Sequence, residues 1–146
     1  MSVGALLWSF QGRINRKPYW LAGLAIVVAM IVLLSLAAGA GDFSGGSGTV
    51  LVLLILSIPF IWIALALGAK RLHDRDKSAW WLLVFYLLPS ILQGAGEHAG
   101  GQGVVLALVG LAISIWALIE LGFLRGTAGP NRYGPDPLAA AAPATA

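Results

Sequence analysis

Lys70-Arg71-Leu72-His73-Asp74-Arg75-Asp76-Lys77-Ser78 runs directly into Ala79-Trp80-Trp81. It is the dense charge cluster of a chain in which only 10% of residues are charged, and long apolar runs stand on both sides of it. Of the 146 residues, 59% are hydrophobic, and the mean hydropathy is +0.88. A soluble domain is about half apolar and about a quarter charged. This chain has too little polar surface to cover a globule, so it reads as an integral membrane protein. The cluster then reads as a loop kept in water while its flanks enter lipid.

The apolar runs divide into four spans working outward from the cluster. The second span, about 50–69, precedes it and carries Pro59 at its middle, which frees the Ile55 carbonyl and bends the helix, with Ser57 near enough to help. The third, about 79–93, follows Trp80-Trp81 at the interface; it is short and interrupted by Pro89. The first covers about 20–39, long enough for the roughly 30 Å of hydrocarbon. The fourth covers about 104–124. On it Ala107, Gly110, Ser114 and Ala117 form one small-residue face suited to close packing inside a bundle. Glycine-rich loops, 41–49 and 94–103, join the first two and the last two spans.

At the start, Val3, Leu6, Leu7 and Phe10 share one helical face, with Trp8 beside them, which predicts a short interfacial helix. Arg13, Arg16 and Lys17 form a basic knuckle before Pro18-Tyr19-Trp20, and Pro18 suits a first helical turn. The basic stretch, apolar run and Ala38-Gly39-Ala40 also resemble a signal peptide; the run is longer than a usual signal core, so the uncleaved reading is preferred. Residues 1–137 make one membrane domain, and the low-complexity stretch 138–146 reads as a disordered tail.

All 9 Lys and Arg residues fall in the lead-in, the central cluster and the tail. These segments alternate with the glycine loops, so the positive-inside rule places both termini in the cytoplasm. The fold class is all-α, integral to the membrane, with four transmembrane helices and a short N-terminal interfacial helix. The net charge of +3 serves orientation and anionic lipid in this setting, and nucleic acid is not an expected partner.

Three motifs carry a resemblance. Phe10-x-Gly12-Arg13-x-x-Arg16-x-x-Tyr19-Trp20, then Arg71-Leu72-His73-Asp74 with Lys77-Ser78-x-Trp80-Trp81, then Gly129-x-Asn131-Arg132-Tyr133-Gly134-x-Asp136-Pro137 appear in order. Together they resemble the signatures of the YhaH/YhaI-like bacterial inner-membrane family, catalogued as domain of unknown function 805. The likeness covers about residues 8–137. Asp76 and Ala79 stand where that family usually has glycine, and Lys70 where it often has arginine. The resemblance implies a small inner-membrane protein and carries no catalytic role.

The chemistry of the residues points the same way. His73 and Asp74 are adjacent and diverge by about 100° on a helix, and Ser78 lacks an elbow or oxyanion pattern, so no catalytic triad is expected. His73, Asp74 and Asp76 match no metal-ligand spacing, and the chain has no cysteine, which excludes thiolate sites. No cofactor is expected. Glu97-His98 reads as an exposed pair in a glycine loop. Glu120 is the carboxylate inside an apolar span: it pairs with Lys70, Arg71 or Arg125, or it serves a proton or ion path. The favoured reading is a non-enzymatic protein whose motifs converge on a basic, aromatic-rimmed cytoplasmic platform contacting anionic lipid or a protein partner. A small oligomeric transporter or channel using Glu120 is the alternative, and an enzyme acting on lipid headgroups through His73 and Asp74 is the third.

Overall fold

The computed structural model describes residues 2–39 and 47–139. Residues 41–46 of the loop read at 41–49 and most of the low-complexity tail lie outside them, while 47–49 are the start of a helix rather than loop. The described chain is helical, and its one bridge outside helices pairs Asn131 with Gly134. Three helical stretches are long and apolar enough to cross a membrane: Arg16–Ala37, Leu51–Asp74 and Gly100–Phe123.

Helix α1, Val3–Trp8, is capped by the Ser2 hydroxyl, which accepts from the Ala5 N–H. It is shorter than its apolar periodicity suggests. Ser9 is already extended, so Phe10 leaves the helix and packs edge-on against Trp62 with ring centroids 5.0 Å apart. Val3, expected on the same face, is 72% exposed. Gly12 turns the chain at φ 87°, a left-handed value that a side chain resists. Asn15 then accepts from the Lys17 N–H at 3.1 Å and starts α2, Arg16–Gly39, one turn earlier than the apolar run alone indicates.

Helix α3, Ser47–Asp74, runs through Pro59. Ser57 donates to the Leu54 carbonyl at 2.7 Å rather than to Ile55. The helix does not stop at Ala69. It continues through Lys70, Arg71, Leu72 and His73 to Asp74, so the first half of the charge cluster is helix rather than loop. Its end is closed by two bonds: the Asp76 N–H donates to His73 and the Lys77 N–H to Leu72. This cap needs a left-handed residue, and Asp76 supplies it at φ 56°. That explains why glycine suits this position.

After the turn, a π-helical stretch, Leu83–Leu87, leads into α4, Leu88–His98. The glycine-rich residues 94–98, read as loop, are the last turns of this helix. A short 3₁₀ turn, Gly100–Gln102, joins it to α5, Gly103–Leu118, and α5 ends in a second π-helical stretch, Ile119–Phe123. Helices α4 and α5 form the tightest pair. A Cβ on Gly103 would lie 2.3 Å from the Gly96 carbonyl oxygen, so both glycines are fixed by backbone approach. The small-residue face is used in part: Gly110 and Ala117 are buried, Ser114 is half-buried and Ala107 is exposed.

The apolar core sits at one end of the molecule. Ala69 and Leu72 of α3, Leu82 and Phe85 after the turn, and Ala117 and Leu121 close on one another. Trp81, Phe85 and Trp116 interlock, with Phe85 and Trp116 edge-on at 5.1 Å. Away from this end the apolar side chains of α2, α3 and α5 face outward, as lipid-facing helices do.

Candidate functional site

The helical first half of the charge cluster is largely buried. Lys70 and Arg71 are 0% exposed and Asp74 is 2% exposed, which reverses the expectation of a solvated loop. Lys70 turns under α1. Its ammonium donates to the carbonyls of Ala5 at 3.0 Å and Ser9 at 2.7 Å, and also to Leu6, and so closes the C-terminus of that helix. All three ammonium protons are used.

Arg71 is the hub. Its Nε donates to the Leu121 carbonyl at 2.7 Å, and its terminal nitrogens reach the Ile14 and Leu124 carbonyls and the Asp74 carboxylate. Apart from Asp74 of α3 itself, these acceptors belong to the lead-in and to the chain at and just past the π-helical end of α5. The planar fork of arginine suits such a junction, where a lysine would offer a single point. Asp74 accepts from Arg71 on one oxygen and from Arg13 on the other, the second bridge at 3.1 Å. Arg13 also donates to the tail, to Thr127 O at 2.6 Å, Gly129 O at 2.7 Å and Gly134 O at 3.2 Å. Two cations on one carboxylate, with their remaining N–H groups on carbonyls, is the satisfied form in which buried charge is tolerable. Among the described residues no buried side-chain polar atom lacks a partner.

The tail folds back over this node. The Thr127 N–H and hydroxyl both donate to the Asp74 carbonyl, at 2.8 and 3.1 Å. Asn131 donates to the His73 carbonyl at 2.9 Å, and its own side-chain oxygen accepts from the Tyr133 N–H. The Tyr133 ring stacks on His73 with centroids 3.9 Å apart and planes 6° apart. His73 Nδ1 in turn lies 3.3 Å from the Gly12 carbonyl oxygen. Arg132 bridges to exposed Asp76 at 3.1 Å. Asp136 accepts from the Gly129 and Leu138 N–H groups, at 3.0 and 2.8 Å. Those bonds, the Leu138 one foremost, hold its carboxyl below the usual aspartate range.

The three motifs therefore meet. Tyr133 stacks on His73, although it shares an apolar groove with Trp80 and Ser78. Asp136 pairs with backbone rather than with Arg13 or Arg71. His73 and Asp74 face different partners, and the Ser78 hydroxyl accepts from the Trp80 N–H, so the three do not form a relay. Trp80 is 75% exposed. Tyr19 packs on the core, Arg16 donates to the Phe123 carbonyl at 3.1 Å, and Trp20 to the Gly122 carbonyl at 3.0 Å. Glu120 is 3% exposed and pairs with Arg75 at 2.9 Å and Lys77 at 2.8 Å. Of its expected partners, Lys70 and Arg71 bond elsewhere, and Arg125 makes no bond to it. No group of His and carboxylates able to hold a metal occurs among the described residues.

Several participants escaped the sequence reading. Gly126 passes so close to Asp74 that an added Cβ would sit 2.0 Å from the carboxylate, and Gly122 is similarly tight against Trp20. For Gly126 the signal was present as small residues following Arg125, but a glycine in a tail resembles any flexible linker.

A family described as "Protein of unknown function (DUF805)" matches residues 7–135. The chain belongs to this family. The DUF805 match covers the first two motifs and the third as far as Pro135. Among similar curated proteins of Escherichia coli K12, the uncharacterized protein YiiR is 33% identical over 93% of this chain and 90% of its own. Inner membrane protein YhaH is 33% identical over 88% of this chain and 86% of its own. Inner membrane protein YhaI is 33% identical over 88% and 85% respectively. No solved structure matches. Family, relatives and apolar helices make this a membrane protein.

Proposed function

We propose that this DUF805 protein is a non-enzymatic scaffold of the inner membrane. Its lead-in, α3 end and tail lock into a basic cytoplasmic platform that contacts anionic lipid headgroups. Four helices cross the bilayer, both termini lie inside, α1 rests along the surface, and residues 1–137 act as one membrane domain. The observation that carries this reading is the buried Arg13–Asp74–Arg71 node, in which each motif supplies or receives a bond. A four-span count is supported by unbroken helix over 81–98, about 27 Å at 1.5 Å per residue. The double pairing of Glu120 favours a structural role over an ion path.

Truncation tests the platform. A chain ending after Leu138 keeps every tail bond to the node and is expected to melt like the full chain in detergent. A chain ending after Gly129 loses the Asn131 and Tyr133 contacts and one acceptor of Arg13, and is expected to melt lower and expose the lead-in to protease. Equal melting and proteolysis of the two would refute the platform.

A further inference from the structure

A hollow of about 130 Å³ opens where the tail leaves α5, lined among others by Asn15, Arg16, Arg71, Arg125 and Asp136. Its charges are unequally spent. Of its two lining carboxylates, Asp74 is held by Arg13 and Arg71, and Asp136 by two backbone N–H groups. Arg71 is consumed by carbonyls and Asp74. Arg16 uses one nitrogen, on Phe123. Arg125 gives only its backbone carbonyl, to Arg75; its guanidinium has no partner among the described residues. The Asn15 oxygen is engaged by Lys17, leaving its amide nitrogen as a donor. Gly126 and Ala128 also line the hollow, and their N–H groups donate to nothing among the described residues.

The geometry points to an anion site in this hollow, in which Arg16 and Arg125 clamp a phosphate group. Guanidinium forks present paired N–H donors that match phosphate oxygens. The volume is below the roughly 300–1,000 Å³ of a pocket for a drug-sized ligand, so it takes the phosphate and excludes a nucleotide. The group is a phospholipid phosphodiester or free inorganic phosphate; the lipid source rests on the platform reading above, and the free anion does not.

Two arms separate the sources. The full chain in neutral detergent is titrated with inorganic phosphate at constant ionic strength and followed by phosphorus NMR line broadening. In parallel, the chain is reconstituted with phosphatidylglycerol and phosphatidylcholine in equal parts, extracted, and its retained lipids counted by native mass spectrometry. Saturable phosphate binding marks the free anion, and selective phosphatidylglycerol retention marks the headgroup. Either supports the site if R16Q and R125Q weaken it about tenfold or more, the range for a charged hydrogen bond, while K17Q leaves it within about twofold. Lys17 carries the same charge beside the hollow without lining it. Because the Arg125 side chain holds nothing in the fold, R125Q keeps its melting temperature and isolates binding. Absence of both kinds of binding, wild-type binding by R125Q, or equal loss in K17Q overturns the site. The truncation test would still judge the platform separately.

Discussion

Asp74 concentrates the energetics of the molecule in one carboxylate. Replacing it by asparagine keeps the shape and leaves two buried guanidiniums without their counter-charge. Breaking a buried pair in this way costs about 3–5 kcal/mol. Asp76 is the natural control, two residues on. Its bridge to Arg132 is open to solvent, with side-chain exposures of 60% and 45%, and exposed pairs contribute under about 1 kcal/mol. Asp74→Asn is therefore expected to lower the melting temperature in detergent far more than Asp76→Asn, and equal small shifts would show Asp74 to be merely solvated. Asp74 was legible in the sequence as an acid set among four Lys and Arg residues. Its burial was not. Lys70 and Arg71 look like the end of a span because charge and lipid do not mix. They stay helical because carbonyls of the lead-in and of the chain around the end of α5, with the Asp74 carboxylate, accept their hydrogen bonds. Those acceptors lie far away in sequence, and no local pattern announces them.

At the scale of elements, the tail behaves as a clasp, and two changes release it by different routes. Gly126→Ala drives a methyl into the Asp74 carboxylate. Overpacking of this kind costs about 1–3 kcal/mol, and the expected outcome is faster proteolysis of residues 127–138 with the helices intact. Unchanged proteolysis would mean the tail shifts without penalty. Acid is the second route. The docked Asp136 carboxyl lies below its ordinary value because N–H groups of Leu138 and Gly129 donate to it. An undocked aspartate titrates at about 3.9. The contribution of Asp136 to docking is then complete above that value and fades as pH falls through the lower, docked one. Amide protection at Gly129 and Leu138, taken relative to the intrinsic exchange rate, should fall as pH drops below about 4, and Asp136→Asn should be poorly protected at every pH. A flat wild-type profile would remove Asp136 from the clasp. Residues 94–98 teach the complementary lesson about legibility. Gly-Ala-Gly-Glu-His has the composition of a loop, yet it is helix because Gly96 lets the backbone of α5 approach Gly103. Tertiary packing overrides a weak local preference there.

For the whole molecule the deciding quantity is the number of crossings. Three stretches declare themselves by length and hydropathy, and those were legible from the sequence outright. The remaining helix is divided by a π-helical stretch at Leu83–Leu87 and contains Pro89, so its hydropathy signal is weak. If it crosses, residues 99–102 face the periplasm while Ser78 and the tail face the cytoplasm. If it does not, both lie on one side and the basic residues no longer segregate. The chain has no cysteine, so single cysteines report without interference. Gly101 is exposed, has open space around its Cβ position and no left-handed φ, which makes it a better site than Gly100 at φ 55°. Gly101→Cys is expected to react with an impermeant thiol reagent in intact cells, once the outer membrane is made permeable. Ser78→Cys and Ala128→Cys are expected to react only after lysis. Labelling of Ser78→Cys from outside would invert or break the four-span arrangement. Protection of Gly101→Cys until lysis would reduce it to a helix lying against one face. The clasp depends on the answer, since Arg13, Asp74 and Thr127 can bond as they do only if an even number of crossings returns the chain to the side it left.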